Sequence, residues 1–600
     1  MSQPISSRRR LLGATAVMAS GTMVSRVLGL VRAVLIAFIL GNGTRRVDVL
    51  TLALTVPSSL YLLLAGGTLN NVLVPQIVRA IKHDGDGGKA FVDRIMTGFL
   101  IILGALTVVF TVAAPLVMSI YTDPRWRTEA LADHWRSLLL MSYLTMPQIF
   151  FYGVFFLIGQ VLNAREKFGP MMWAPILNNL VSITSLGAYL WIWGTQTNGT
   201  GAFTDQQVWL LGIGSTLGIG AQTLVLLPFL RRAGFSYRPR FDLKGTGLGR
   251  TFHIAKWMVG YVGLTSLAQV VVTNLASAGV AAAAGGGGGV NAYQSAYLIW
   301  ILPHSLLTVS LATAMLPTAS AAALAGNLSE VASETGRALR LALTFLVPSA
   351  VAFVALADPI ARVPFGNGAG ASDYHFVAWA LAAFGIGLVP YTIQYLYLRA
   401  FYALDNTRTP FGLQIWISGA NAVLAVALVL AWDDPHSVAA RLALAYSASY
   451  VLGAFLTHRS LKKLLPDLEG RALGQHLARL LVASLPAALI AWLITWAGAG
   501  LASTWLRLLI LVAAGAAAVV VFFLAAKRLG IDEVSSLISV LRRKRGDDGE
   551  ADATDALVAE DEAERAAAQP ASPAGSSAPS VREPDEPLGP PTGYREPDLA

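Results

Sequence analysis

The chain has 600 residues, of which 55% are hydrophobic and 13% are charged, and its mean hydropathy is +0.58. This composition excludes a soluble globular protein. The apolar residues come in repeated blocks of about 20 or more, which is the length that a helix needs to cross a bilayer. Because the chain contains no cysteine, disulfides, thiolate metal sites and thiol nucleophiles are excluded as well.

The net charge of +9 is the sum of two unequal parts. From Asp547 onward 14 residues are acidic and 3 are basic, which leaves 41 basic and 21 acidic residues in the rest of the chain. A basic excess in the loops of a membrane protein faces the anionic cytoplasmic leaflet. It does not indicate a nucleic-acid partner.

Fourteen apolar segments predict an all-α, polytopic membrane protein with about 14 transmembrane helices. The basic loop between Arg231 and Arg250 divides the first twelve segments into six and six, a common transporter plan in which the substrate site lies between two lobes. We therefore expect an N-terminal lobe at 1–232, a C-terminal lobe at 233–465 and two additional helices within 466–528. The segments lie near residues 11–40, 49–78, 94–121, 137–162, 170–194, 207–230, 254–284, 292–325, 338–357, 374–403, 410–432, 438–457, 474–498 and 502–526.

The loops between the segments predict the orientation in the membrane. Alternate loops are rich in lysine and arginine, whereas the loops between them are nearly uncharged or acidic. By the positive-inside rule, both termini and the loop 231–250 are predicted to be cytoplasmic, and the five-glycine loop 285–289 external. An even number of spans requires the same arrangement. Five arginines break the pattern: Arg45, Arg46, Arg125, Arg127 and Arg362.

After the last apolar segment the chain changes character. Residues 529–545 place apolar residues at helical spacing and end in a basic cluster, which predicts an interfacial amphipathic helix that contacts anionic membrane lipids. Residues 546–600 are rich in Ala, Pro, Asp and Glu and nearly free of aromatic residues, so we expect a disordered acidic tail.

Two arginines lie inside the first apolar segment. Arg26 and Arg32 flank Gly29 in residues 25–32, SRVLGLVR. Thirty helical residues span about 45 Å, more than the roughly 30 Å hydrocarbon core, so Arg26 falls near mid-membrane and Arg32 about 9 Å further along. A charge at this depth is costly unless it faces a water-filled cavity or a partner. We interpret the pair as functional, with a snorkelling or carboxylate-paired structural arginine as the alternative.

Two further ionisable residues lie at the ends of apolar segments. Asp48 begins the second segment on the outer side, where it is within reach of Arg32 and is a candidate structural partner. Lys256 begins the seventh segment near the cytoplasm, where snorkelling is the alternative to a functional role.

Two weaker candidates lie in the second half of the chain. His304 follows Pro303 and is either a buried, hydrogen-bonded residue or a titrating switch. Arg399 lies toward the inner end of the tenth segment, where it either pairs with Asp405 or caps the helix.

Carboxylates are scarcer than cations in the apolar segments, and the seventh, eighth, eleventh and twelfth contain none. This distribution argues against acid–base catalysis and against a carboxylate-ligated cation site in the second lobe, so no enzyme activity, cofactor or metal is expected. An uncompensated cationic cavity suits an anionic substrate, because a guanidinium binds phosphate oxygens in a bidentate manner and cannot be deprotonated.

Several motifs resemble those of MurJ/MviN-type lipid II flippases. Each motif is short, but as a set their order and spacing from about residue 18 to 457 are typical of this family. The motifs are SRVLGLVR at 25–32, GTLNNVLVP at 67–75, LNA at 162–164, APILNN at 174–179, AMLPT at 314–318 and FYALDNTRTP at 401–410.

The resemblance implies a two-lobed transporter of the multidrug/oligosaccharidyl-lipid/polysaccharide superfamily in the bacterial cell membrane. Such a protein moves lipid II, the undecaprenyl-diphosphate-linked peptidoglycan precursor, from the inner to the outer leaflet by alternating access. Arg26, Arg32, Asp48 and Lys256 match positions that the family uses, and the two arginines would bind the diphosphate. The helices within 466–528 would form a groove for the lipid tail. Separately from the resemblance, the long acidic tail is a candidate contact for cell-wall synthesis proteins.

Three positions depart from the family's usual pattern. A cavity arginine of the second segment corresponds to Tyr61, and an arginine and a glutamate of the eighth correspond to Leu298 and Ile301. These departures leave two alternatives open, a flippase for another polyprenyl-linked saccharide and a non-transporting scaffold for cell-wall enzymes. A drug exporter fits less well, because its cavity would carry acids for cationic drugs.

Overall fold

A computed structural model describes residues 5–65, 68–196, 201–242, 248–283, 286–468, 470–501, 503–531 and 533–534. Every regular element in these ranges is helical, which confirms the all-α fold. Thirteen helical stretches in them are long and apolar enough to cross a membrane, and each corresponds to one predicted segment. The second predicted segment is shared by two helices, and residues 66–67 between them lie outside the described ranges.

The first group of helices, which we call the N-lobe, runs to residue 232. α1 packs along α8, and α8 packs along α9. Prolines mark two of the breaks within spans: Pro115 lies in the first turn of α5, and Pro147 lies between α6 and α7, as expected for a residue without a backbone N–H. The helices are α1 (Ile5–Leu40), α2 (Arg45–Ala65), α3 (Thr68–His83), α4 (Lys89–Val112), α5 (Ala114–Tyr121), α6 (Ala132–Thr145), α7 (Gln148–Ala164), α8 (Gly169–Trp193), α9 (Asp205–Leu224) and α10 (Leu226–Arg232).

The second group, which we call the C-lobe, begins at residue 248 and is organised around its central helix, α16, which packs against α12, α14 and α18. Immediately after Pro303, a π-helical turn at His304–Thr308 separates α12 from α13. Such turns are rare and are frequent at functional sites. The helices are α11 (Leu248–Ala282), α12 (Val290–Pro303), α13 (Val309–Leu324), α14 (Leu328–Ala355), α15 (Ala357–Phe365), α16 (Tyr374–Ala403), α17 (Arg408–Ala431) and α18 (Val438–Lys462).

Two additional helices, α19 (Gly470–Ala497) and α20 (Thr504–Arg528), pack against each other, and α19 packs against α14. Just beyond α20, Ile531 and Val534 are buried, and a carboxylate oxygen of Glu533 lies 3.3 Å from Nε of Arg340. At the start of the predicted amphipathic segment, Ile531 and Val534 are therefore packed against protein, whereas Leu529 is 36% exposed. The rest of that segment and the acidic tail lie outside the described residues.

Besides a contact between α3 and α11, the two lobes meet mainly at one end of the bundle, which we call the closed end. There α1 contacts α15 and the short 3₁₀ turn Gly368–Ser372, while α2 and α5 contact α11 and α2 also contacts α12. The described residues all belong to one compact unit. The division into two six-span lobes at residues 231–250 remains our interpretation, and it falls in the connection between α10 and α11.

Cysteine labelling tests the orientation predicted from the loop charges. Gly85 lies in the loop between α3 and α4, whose flanking helix ends carry Arg79, Lys82, Lys89 and Arg94, and Gly500 lies in the uncharged loop between α19 and α20. A Cβ atom at either position would meet no atom within 4 Å. We expect a membrane-impermeant maleimide to label Gly500→Cys in intact spheroplasts and Gly85→Cys only after permeabilisation. Each variant has a single cysteine, so the reverse labelling pattern would invert the topology.

Candidate functional site

Arg26 lies on α1, and its side chain is exposed and directed toward the C-lobe. Its Nη1 donates a 2.7 Å hydrogen bond to Oγ of Ser305, which lies in the π turn after α12. None of the ion pairs found among the described residues involves Arg26. The guanidinium therefore keeps free donors for a ligand between the lobes.

Arg32 follows Arg26 by six residues on the same helix, which corresponds to a rotation of about 240° and a rise of about 9 Å. It is only partly exposed, and it lies near Tyr152 of α7. Tyr152 stacks on Tyr61 of α2, with ring centroids 4.8 Å apart. Arg32 therefore faces the N-lobe, and Tyr61 packs in an aromatic pair where the family resemblance led us to expect a cavity charge.

Asp48 does not pair with Arg32 as we had expected. Its side chain is fully buried, and its carboxylate oxygens accept hydrogen bonds from the backbone N–H groups of Val290 (2.8 Å) and Asn291 (2.9 Å). These residues begin α12, and the glycine that precedes them, Gly289, has no side chain to cap them. A carboxylate satisfies such unpaired N–H groups and favours the positive end of the helix dipole. In this conformation Asp48 thus caps the start of α12 across the interface between the lobes.

Arg45 lies one helical turn before Asp48 and binds the other end of the same connection. Its guanidinium donates hydrogen bonds of 3.0–3.3 Å to the carbonyl oxygens of Val280, Ala281 and Ala283, where α11 ends. A cation is favourable at the C-terminus of a helix, as an anion is at the N-terminus. The first turn of α2 therefore holds the end of α11 and the start of α12 together.

Two more contacts join the lobes at the closed end. The carboxylate of Asp373 accepts hydrogen bonds from the backbone N–H groups of Asn42 (2.9 Å) and Gly43 (2.8 Å). The indole of Trp126 is fully buried and donates to the carbonyl of Ser277 in α11 at 3.0 Å. The closed end is thus held largely by side chains of one lobe that bind backbone groups of the other.

Lys256 and Arg399 lie elsewhere in the C-lobe. Lys256 is exposed near the start of α11, with its Nζ 5.3 Å from the centroid of the Trp257 ring. Arg399 donates to the hydroxyl of Tyr395, one turn earlier on α16, at 2.6 Å. The pairing with Asp405 that we considered is absent from the ion pairs of the described residues. The structure therefore places neither cation in contact with Arg26.

His304 belongs to the core of the C-lobe. Its side chain is 2% exposed, its Nδ1 lies 3.1 Å from Oγ1 of Thr392, and its ring packs on two tyrosines of α16. The next residue, Ser305, faces Arg26 instead. Sequence reasoning missed Ser305 because a single serine carries no distinctive signal, and only the helix break at Pro303 marks its position.

The chemistry of this site is that of guanidinium groups and neutral hydroxyls, which bind anions. Among the described residues, no group of three or more His, Asp or Glu side chains is arranged to hold a metal ion. Two helical lobes that meet mainly at one end, with an exposed arginine directed into the space between them, are typical of a multi-pass membrane transporter, and not of an enzyme.

The chain belongs to the lipid II flippase MurJ family, whose family model matches residues 36–514. It is 27% identical over 410 residues to the lipid II flippase MurJ of Burkholderia cenocepacia. This alignment covers 66% of this chain and 74% of that protein. These matches confirm the resemblance read from the motifs, and they place the chain in the bacterial inner membrane.

Solved structures of related transporters share the fold. The structure of a lipid II flippase MurJ in an inward closed conformation superposes with a TM-score of 0.66 and 20% identity, covering 86% of this chain and 99% of that one. An inward-facing multidrug resistance transporter of the MATE family, from the MOP superfamily, superposes with a TM-score of 0.57 and 15% identity, covering 75% of this chain and 98% of that one.

Removing the charge of Asp48 should loosen the closed end. Asp48→Asn retains one acceptor oxygen for two N–H groups, so we expect it to weaken closure by about 1.5–3 kcal/mol, the typical value of a hydrogen bond to a charged group. Spin labels at Thr128 and Asp433, which line one cavity between the lobes at this end, report the separation by double electron–electron resonance. The variant should add a longer distance to the wild-type distribution.

The matched control is Asp205→Asn. Asp205 is an exposed aspartate whose salt bridge to Arg136 stays within the N-lobe, so its loss should leave the interlobe distance unchanged. If Asp48→Asn gives the same distance distribution as this control, Asp48 does not hold the lobes together.

Proposed function

We propose that this protein translocates lipid II from the inner to the outer leaflet by alternating access between its two lobes. The observation that carries the proposal is Arg26, an exposed guanidinium in an apolar helix that contacts the opposite lobe and has no carboxylate partner among the described residues. A permanently charged group in such a place favours an anionic substrate over a structural role. Membership of the MurJ family supports lipid II as that substrate.

We assign the closed end to the outer side of the membrane. The connections at that end, such as 41–44 and 286–289, carry little positive charge, whereas the basic loops predicted to be cytoplasmic lie at the opposite end. In this assignment the conformation faces inward, with both termini in the cytoplasm. Arg26 is then reachable by a headgroup that enters from the inner leaflet.

The diphosphate is the part of the substrate that the arginines recognise. Arg26 approaches it from between the lobes, and Arg32 contributes from the N-lobe side beside Tyr152. Asp48 acts in closure, and Lys256 lies at the mouth of the pathway near the cytoplasm. A guanidinium suits a diphosphate because its planar donors match pairs of phosphate oxygens.

An apolar groove offers a site for the polyprenyl tail. The groove has a volume of about 640 Å³ and lies among α14, α16, α18 and α19. Its lining consists of apolar side chains, including Val354, Ile393 and Leu485, so a hydrocarbon chain would lose no hydrogen bonds on entering it. This arrangement supports a division of labour in which the tail remains in an apolar channel while the headgroup crosses between the lobes.

Replacing Arg26 tests the diphosphate site. Arg26→Lys keeps the charge but replaces the planar pair of donors with an ammonium, so we expect export to fall about tenfold. Arg26→Ala should abolish export while folding normally, because an intramembrane charge is costly and its removal is close to neutral for stability. The measurement is accessibility of the precursor at the outer leaflet of cells depleted of their own flippase, normalised to folded protein.

The same cells separate the alternatives. Wild-type export in Arg26→Ala would exclude this residue from the substrate site. If the wild-type protein does not restore lipid II export at all, the result favours a flippase for another polyprenyl-linked saccharide over a lipid II flippase. If the full chain restores growth and a truncation that lacks residues 546–600 does not, the result favours the scaffold, with the acidic tail contacting cell-wall synthesis proteins.

Filling the apolar groove tests the tail site. Val354 lines the groove and is 49% exposed, so Val354→Trp should occupy the space of the polyprenyl chain and lower export several-fold. Val112→Trp is the matched control, because Val112 is 76% exposed and lies outside the groove at the end of α4. Equal export by the two variants at equal protein levels would rule out the groove as the tail site.

A further inference from the structure

Ser305 is the point at which the C-lobe contacts Arg26. Its Oγ accepts the 2.7 Å hydrogen bond from Nη1 of Arg26, across a sequence separation of 279 residues. The interlobe hydrogen bonds of Arg45, Asp48 and Asp373 all lie at the closed end. Arg26 precedes the end of α1 by 14 residues, or about 21 Å of helix. The contact with Ser305 therefore bridges the lobes well away from the closed end.

The local backbone presents the Ser305 hydroxyl toward the space between the lobes. His304–Thr308 form a π turn, in which the N–H of Val309 donates to the carbonyl of His304. The Ser305 hydroxyl donates to the carbonyl of Leu302 at 2.9 Å, which leaves its lone pairs to accept from Arg26. A serine hydroxyl rotates readily, so the same group can donate to a different acceptor when one arrives.

The helix face one to two turns before Ser305 is apolar. Leu298 and Ile301 precede Ser305 by seven and four residues, so they lie on the same side of the helix, two turns and one turn away respectively. Both are partly exposed, and neither side chain carries a polar atom. On this face of the C-lobe, the group next to Arg26 that can donate a hydrogen bond to an anion is therefore the hydroxyl of Ser305.

We infer that Ser305 is a positioning residue for the diphosphate, an inference that rests on the function proposed above. In the empty protein Ser305 supplies the acceptor for Arg26. When the diphosphate binds, its oxygens replace Ser305 Oγ as the acceptor for the guanidinium, and the Ser305 hydroxyl turns from Leu302 to donate to the same phosphate. The anion then joins Arg26 of the N-lobe to Ser305 of the C-lobe. A ligand held by both lobes has different affinities for their different arrangements, which is the requirement for it to shift their equilibrium.

Binding of undecaprenyl diphosphate to the full chain in lipid nanodiscs tests this inference. Ser305→Ala should weaken binding about tenfold, as expected for one lost hydrogen bond to a charged group. Ser305→Thr keeps the hydroxyl and should bind like the wild type. Ser310→Ala is the matched control, because Ser310 is exposed on α13 and its hydroxyl bonds to the carbonyl of Leu306.

A double-mutant cycle distinguishes a shared phosphate from two independent effects. In an Arg26→Ala background, Ser305→Ala should have little further effect, because both groups hold the same anion. Unchanged affinity in folded Ser305→Ala, or effects that add in full, would overturn the role of Ser305. A wild-type protein that binds no diphosphate would instead overturn the proposed function.

Thermal unfolding of each variant shows whether it is folded. If Ser305→Ala does not fold, Ser305→Cys replaces it in the same cycle, because a thiol has a similar size but is a weak donor. The cysteine variant should then show the tenfold loss, and wild-type affinity in it would count against the inference.

Discussion

The first turn of α2 clamps the ends of two helices from the opposite lobe, and the closed end depends on this clamp. Arg45 binds carbonyl oxygens at the end of α11, and Asp48 binds N–H groups at the start of α12. Each side chain meets backbone groups that the helix leaves unpaired, and each has the charge that the helix dipole favours at that end. The two side chains lie one turn apart, so they bind well only when both helix ends approach α2 together. Closure at this end is therefore cooperative.

Closure at one end determines the surroundings of the arginines in α1. With the lobes held together there, the space along the preceding part of α1 lies between them, and the Arg26 side chain is exposed in it. A guanidinium in this space reaches Ser305 without being forced into lipid. Arg32 leaves the helix in another direction and lies beside Tyr152. Two arginines that look equivalent in the sequence thus have different surroundings in the fold.

Most of the arginines that break the positive-inside pattern have a structural explanation. Three of the five donate hydrogen bonds to backbone carbonyl oxygens, and such an arginine is satisfied by the folded protein. The positive-inside rule counts charges in loops, and it does not distinguish a solvent-exposed charge from one that is bound by backbone groups of the folded protein. The three are Arg45, bound to Val280, Ala281 and Ala283; Arg46, bound to Gly201 and Ala202; and Arg362, bound to Ala499. The departure of Arg45 from the positive-inside pattern is visible in the sequence alone, and it indicates a residue that takes part in the closed end.

The sequence by itself determined the fold class, the positions of the spans and the presence of two cations in the first helix. These are local properties, since apolar length and helical period are read from consecutive residues. Only the tertiary structure decided which groups those residues contact. Asp48 was expected to pair with Arg32 and instead caps α12, while Ser305 drew no attention and contacts Arg26. A hydrogen bond between residues 279 positions apart depends on how two lobes dock, and backbone groups at helix ends, which every sequence possesses, compete for the same side chains.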